Sequence, residues 1–222
     1  MARRKKEPLS VHREKITTVA SALFIEKGIS YTTVDEIAKK AGYSKATLYV
    51  YFENKEEIFF SLVYQHMQQL FQTIENIILQ ETHSPEQWKE KYLEICFAIR
   101  RLCKEYPIYF EGMIGYINVD VSADETPQVY KDIYDLGLRL SDLVKTIIEQ
   151  GVLFHIFKPR SDTNKIMIFF WSSVSGIIRM AEYKKAYYKL LGFDNDEFVK
   201  QEFLALLKPN NRSEEHTSEL QS

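Results

Sequence analysis

From Ser10 the apolar residues Ile16, Val19, Ala20, Leu23 and Phe24 recur at i, i+3, i+4, i+7 and i+8. That is one stripe of an amphipathic helix, and it stops at Gly28. Thr33 and Glu36 have the spacing of a capping box, which predicts a second helix with Ile37, Ala38 and Ala41 turned inward and Gly42 at its end. Ser44 is a good N-cap for a third, short helix from Lys45 to about Tyr51. Asn54 with Glu57 opens a fourth, in which Phe59, Leu62, Val63, Leu70, Ile74 and Ile77 keep helical spacing to about Leu79.

Punctuation marks the helices beyond Thr82. Ser84-Pro85-Glu86-Gln87 sets a cap, an N1 proline and an N3 glutamine in order, and the helix reaches Lys104 before Pro107. A shorter aromatic-rich helix runs from Pro107 to about Asn118, followed by a polar connection, Val119 to Glu125. Thr126-Pro127 opens a helix that should run to Gln150 and close at Gly151. After a loop from Phe154 to Pro159, the apolar stretch Ile166 to Met180 should continue as one helix to about Leu191, and Asp194 caps a last helix to Leu207. No period-2 strand pattern and no internal repeat interrupts this, so the expectation is an all-α fold of nine helices.

Composition supports that picture: 45% of the 222 residues are hydrophobic, 27% are charged, and eight Gly with six Pro are too few for the turns of a β-sandwich. No apolar run is long enough to span a membrane, and the basic start MARRKKEPLSVHREK lacks the apolar core of a secretion signal. A cytoplasmic protein is expected. Cys96 and Cys103 read as reduced packing thiols. The last eleven residues, 212–222, are polar and aperiodic. They resemble the translation of a sequencing-library adapter and are read as a non-native tail.

The net charge of -2 hides an asymmetry. Residues 1–55 hold 11 Lys and Arg against 6 Asp and Glu, a balance of +5, and the rest hold 18 against 25, or -7. A basic head on an acidic body fits binding to a polyanion, although basic segments also serve only as solubilising tails. The four histidines outside the tail, His12, His66, His83 and His155, fall in no metal-protease, nucleophile-elbow or phosphate-loop pattern. Neither catalytic residues, nor a metal, nor a cofactor is therefore expected.

Two short helices meeting at Gly42 and braced by a longer one can lay one helix in a DNA major groove. The string TTVDEIAKKAGYSKATLYVYFENKEEIF, Thr32 to Phe59, resembles the TetR family of transcriptional regulators. The matching positions are Thr33, Ile37, Ala38, Ala41, Gly42, Ser44, Thr47, Leu48, Tyr49, Tyr51, Phe52, Lys55 and Glu56. Ala46 stands where many members have glycine. The resemblance covers residues 10 to about 70; beyond them it rests on helix number and on features such as Trp171 and Gly176.

The resemblance implies a DNA-binding domain over residues 10–70, with its helix-turn-helix at about 33–52, and an effector-binding and dimerisation domain over 71–211. Leu48 and Phe52 are expected in the core. Lys45, Ala46 and Tyr49, at i, i+1 and i+4, share the outer face and are the expected base contacts. Thr33, Ser44, Thr47, Tyr51 and Lys55 are the expected phosphate contacts. Lys55 places a positive charge in the first turn of a helix, against the dipole, which fits a docked phosphate. The arm Arg3-Arg4-Lys5-Lys6 either adds DNA contacts or is a plain tail.

The family further implies a homodimer through the last two helices, a palindromic double-stranded operator, and repression relieved by a small effector. Phe97, Phe110, Met113, Tyr116 and Tyr134, from an aromatic-rich region, either line a pocket for an apolar or aromatic effector or simply pack the core. The competing reading is a helical small-molecule sensor or scaffold without DNA regulation.

Overall fold

The computed structural model describes residues 8–115, 120–156 and 163–207. Among them the chain forms ten helices and no strand: α1 (Leu9–Lys27), α2 (Val34–Ala41), α3 (Lys45–Tyr49), α4 (Lys55–Ile78), α5 (Pro85–Glu105), α6 (Pro107–Ile114), α7 (Gln128–Leu153), α8 (Thr163–Tyr183), α9 (Lys185–Leu190) and α10 (Asn195–Ala205). Among the described residues no helix is long and apolar enough to cross a membrane. The basic arm 3–6 and the tail 212–222 lie outside the described residues.

The predicted caps form. Thr33 Oγ1 accepts from the Glu36 N–H while Glu36 accepts from the Thr33 N–H, the full capping box. Asn54 Oδ1 accepts from Glu57 N at 2.7 Å, and Ser84 Oγ from Gln87 N at 3.2 Å. Asp194 Oδ1 accepts from both Asp196 N and Glu197 N. Each cap satisfies a backbone donor that a helix start leaves orphaned, worth about 1 kcal/mol.

Three helix ends differ from expectation, the first being α6, which stops at Ile114 rather than about Asn118, with Gly115 N donating to Glu111 O. α7 runs through Gly151 to Leu153, because the stop is made by His155, whose φ of 55° puts it in the left-handed region. Ile156 N then donates to Gly151 O and His155 N to Val152 O, the paired bonds of a Schellman ending. The single helix expected from Ile166 to Leu191 is two, α8 and α9, broken at Lys184 (φ -110°, ψ 21°). The break turns Tyr188 onto Phe193 and Phe198, with ring centroids 6.3 and 5.1 Å away, so aromatic packing rather than glycine or proline accounts for the tenth helix.

The chain divides into two compact units, one built from Met1–Gln69 with Tyr106–Gly137 and the other from Leu70–Glu105 with Leu138–Ser222. In the first unit α1, α2 and α3 bury Ile16, Ala20, Leu23, Phe24, Ile37, Ala38, Ala41 and Leu48. The segment 106–137 joins them for reasons of side-chain fit. Tyr109 donates to Ser21 Oγ on α1 at 2.7 Å. Gly112 lies so close to α4 that a Cβ there would come within 2.6 Å of Val63 and 3.0 Å of Phe59. Phe60 and Tyr130 rings lie 4.9 Å apart.

The second unit packs α5 against α8 and α10. Its centre is Trp88, which donates to Ile147 O and stacks on Tyr92, whose hydroxyl donates to Phe203 O. Arg100 on α5 is buried and binds Glu182 of α8 and Asp196 of α10, each at 2.6 Å.

Candidate nucleic-acid interface

The turn between α2 and α3 is fixed by backbone chemistry. Gly42 has φ 76° and ψ 30°, a conformation that other residues adopt at a cost. Gly42 N donates to Lys39 O and Tyr43 N to Ala38 O, so α2 ends and α3 begins within three residues. Five residues cannot sustain a helix alone. α3 is held by the Ser44 cap, whose Oγ accepts from Thr47 N at 3.0 Å, and by Leu48 and then Phe52, which are 0% and 1% exposed.

Burying that side leaves the other outside. Lys45, Ala46 and Tyr49 are all exposed, so the three expected base contacts share one solvent face of α3. Lys45 Nζ donates to Asp35 Oδ2 at 3.0 Å, and that carboxylate raises the lysine's pKa above its ordinary value. Both partners are more than half exposed, so the pair is weak and can be exchanged for another anion.

Four of the five expected phosphate contacts lie on or beside α2 and α3, and the fifth, Lys55, opens α4. Thr33 and Ser44 are exposed caps of α2 and α3. The Thr47 hydroxyl is 2.8 Å from Ser44 Oγ, and the Tyr51 carbonyl accepts from the Arg13 guanidinium. Lys55 has partners that the sequence did not disclose: its ammonium donates to Ile29 O at 2.7 Å and Thr32 O at 3.0 Å. Its place against the α4 dipole therefore has a structural reason, since it ties the α1–α2 connection to the start of α4.

The residues named for an effector site fall in two units. Phe110 is buried, Met113 is half-buried and Tyr134 is 54% exposed, all in the first unit. Phe97 is in the second, 5.6 Å from the Phe203 ring. Tyr116 lies outside the described residues.

The sequence pattern also passed over side chains that α1 brings to this turn. His12, Arg13 and Lys15 sit beside Tyr43, Tyr51 and Phe52. They are polar positions on a helix otherwise read for its apolar stripe, and no local spacing distinguishes them from solvated surface.

A capped helix pair with a tight glycine turn, a buried inner face and an exposed Lys-Ala-Tyr outer face defines a helix-turn-helix DNA-binding protein. Comparison narrows the class. Residues 16–62 match the family model described as bacterial regulatory proteins, tetR family. That match spans the helix-turn-helix and its bracing helix, and the protein is a DNA-binding transcriptional regulator. It is 26% identical over 166 residues to the biofilm operon icaADBC HTH-type negative transcriptional regulator IcaR of Staphylococcus aureus, covering 72% of this chain and 81% of that one. Among solved structures it is similar to the fatty acid degradation regulator FadR of Bacillus halodurans (TM-score 0.63, 19% identity, 94% of this chain and 99% of that one). It is also similar to FadR of Bacillus subtilis in complex with stearoyl-CoA (TM-score 0.63, 18% identity, 88% and 97%).

Proposed function

We propose that the protein is a cytoplasmic, homodimeric repressor that holds a palindromic operator and lets go when a small apolar or aromatic molecule binds. The observation that carries the reading is the exposed face of α3. Lys45 can donate to guanine O6 and N7, the Ala46 methyl can pack on a thymine methyl, and Tyr49 can stack or donate its hydroxyl. Thr33, Ser44, Thr47, Tyr51 and Lys55 would meet phosphates through hydroxyls, helix-start N–H groups and the ammonium. The relative IcaR is a negative regulator by name, which supports repression.

Dimerisation through α8 and α10 is supported by what α8 leaves uncovered. Ile168, Phe169 and Met180 are exposed apolar residues, with the small residues Ser172 and Gly176 between them. A helix of five residues reads few base pairs, so useful selectivity needs two half-sites related by the dimer axis. Phe110, Met113 and Tyr134 in the first unit and Phe97 in the second remain proposed effector contacts, each within its own unit, and the stearoyl-CoA held by the Bacillus subtilis structure supports an apolar class. An effector releases DNA only by binding the two states of the protein unequally.

Gel shift of the native chain against fragments of its own genome tests the DNA reading. Sequence-selective binding with a steep salt slope is expected; indifference to every duplex would leave the sensor or scaffold reading. Calorimetry with fatty acyl and aromatic ligands, with and without operator, tests the coupling, which fails if ligand affinity is the same in both cases.

A further inference from the structure

Tyr43 immediately precedes the cap of α3, and Tyr51 lies two residues past its end. Their ring centroids are 6.3 Å apart, and one imidazole from α1 reaches both. His12 Nδ1 is 2.7 Å from the Tyr43 hydroxyl, and its ring is 5.8 Å from that of Tyr43 and 5.4 Å from that of Tyr51. Three residues along α1, on the same side, Lys15 holds its ammonium 5.1 Å over the Tyr43 ring, 3.7 Å from where a Cβ on Gly42 would lie. Between them Arg13 donates to the Tyr51 carbonyl, spreads 4.0 Å over Phe52 and pairs with Glu57 of α4. One turn of α1 thus holds both ends of α3.

Apolar packing explains Phe52, but not the rest of the cluster. An imidazole, two phenols and an ammonium at a solvent rim are groups that bind oxyanions. Lys27, Lys40 and Lys45 each face a carboxylate, whereas Lys15 faces none among the described residues and rests on an aromatic ring. Its charge is left available beside the turn that leads into the DNA-reading helix.

We infer that His12, Lys15 and the Tyr43 hydroxyl form a phosphate-binding edge on α1 that extends the protein's grip on the DNA backbone beyond the helix-turn-helix. This rests on the DNA-binding reading above and adds a site to it. A phosphate oxygen meeting His12 favours the imidazolium over the neutral ring, so DNA binding takes up protons and is tighter at the lower pH. The charged and titratable groups near His12 among the described residues include Lys15 and Arg13 on α1, Tyr43 from the turn, Tyr51 beyond α3 and Glu57 on α4. His66, His83 and His155 are also in the chain, so a proton uptake on DNA binding is assigned to His12 only where His12→Gln abolishes it.

The test is operator binding by the full chain at pH 6 and pH 8, each over a series of salt concentrations. Wild type should bind more tightly at pH 6. His12→Gln should lose roughly 3- to 10-fold at pH 6 and little at pH 8, flattening the profile, as expected for one lost charge-assisted contact per subunit. Lys15→Gln, an exposed change, should weaken operator and non-specific duplex alike and lower the salt slope by about 0.9 per subunit. Tyr43→Phe should keep the fold and lose part of the pH dependence. If both His12→Gln and Lys15→Gln retain the wild-type pH profile and salt slope while wild type still selects its operator, the edge does not exist and the DNA reading stands. A loss of affinity in the variants with profile and slope unchanged assigns these residues to bracing α3 and overturns the inference equally. Wild type that binds no duplex at all defeats the DNA-binding reading itself.

Discussion

Lys45 on α3 and Arg100 on α5 both place a cation against carboxylates, and the two units use that pairing in opposite ways. Lys45 meets a single exposed aspartate, in water and at the edge of the reading face. Arg100 is 2% exposed and is closed on two sides by Glu182 and Asp196, with Lys104 also 3.4 Å from Asp196. Water screens the first pair, so a DNA phosphate or base edge can replace Asp35 with little loss. Arg100 and Glu182 have been taken out of water, and removing either strands the other, while Asp196 meets the guanidinium from the exposed side. Charge that can change partners stays at the surface, while charge that holds α5, α8 and α10 together is buried. Lys91 in the second unit follows the same logic: buried, it donates to the Ile78 and Gln80 carbonyls and closes the C-terminal end of α4.

The contrast predicts unequal costs. Arg100→Ala should lower unfolding free energy by about 3–5 kcal/mol, because Glu182 is left buried without its partner. Urea unfolding reads the loss, and adding Glu182→Gln should return part of it. A loss below about 1 kcal/mol would mean that the cluster braces nothing. Gly112→Ala should cost about 1–3 kcal/mol by driving a methyl into Val63. Thermal melts of the single variant and of the Gly112→Ala, Val63→Ala pair check this, with partial recovery expected in the pair.

For Lys45 and Lys55 the expected changes lie in DNA binding. Lys45→Ala should leave stability within about 0.5 kcal/mol and relax choice at one base position by about 1–3 kcal/mol, measured against operators carrying single substitutions. Lys55→Ala should weaken every duplex alike, and should also lower stability because Ile29 O and Thr32 O lose a charged donor. Equal, sequence-independent effects of both changes would remove Lys45 from base reading.

The smallest effect is titration of Glu36, whose carboxyl is held down to about 2 from the ordinary 4.5, first by the Lys27 ammonium and then by the Thr33 N–H and hydroxyl. A depressed carboxyl contributes its stability in full above pH 4.5 and loses it as pH falls toward 2. Glu36→Gln should therefore remove part of the acid sensitivity in that window in urea titrations, and leave the neutral slope unaltered.

The reading head was legible because its information is local. A capping box spans four residues, a glycine turn about as many, and the inward set Ile37, Ala38, Ala41 and Leu48 needs only helical periodicity. The same locality misled at two helix ends: Gly151 is a usual stop but sits inside α7, where His155 takes the left-handed turn, and Lys184 breaks a helix without any breaker residue. His12 beside Tyr43 and Tyr51, 31 and 39 positions away, has no short-range signature. Neither has Arg100, whose partners lie 82 and 96 residues on.

Chain chemistry by itself determined the all-helical character, the caps, the turn at Gly42 and the solvent face of α3, since each follows from backbone donors and apolar spacing within one or two helical turns. Tertiary structure alone decided that α6 joins the N-terminal helices, that Lys55 serves two carbonyls, that Arg100 is buried with Glu182, and that α1 brings an imidazole and an ammonium to the ends of α3. Those outcomes depend on which distant groups desolvate one another, and burial is a property of the assembled fold rather than of any segment of it.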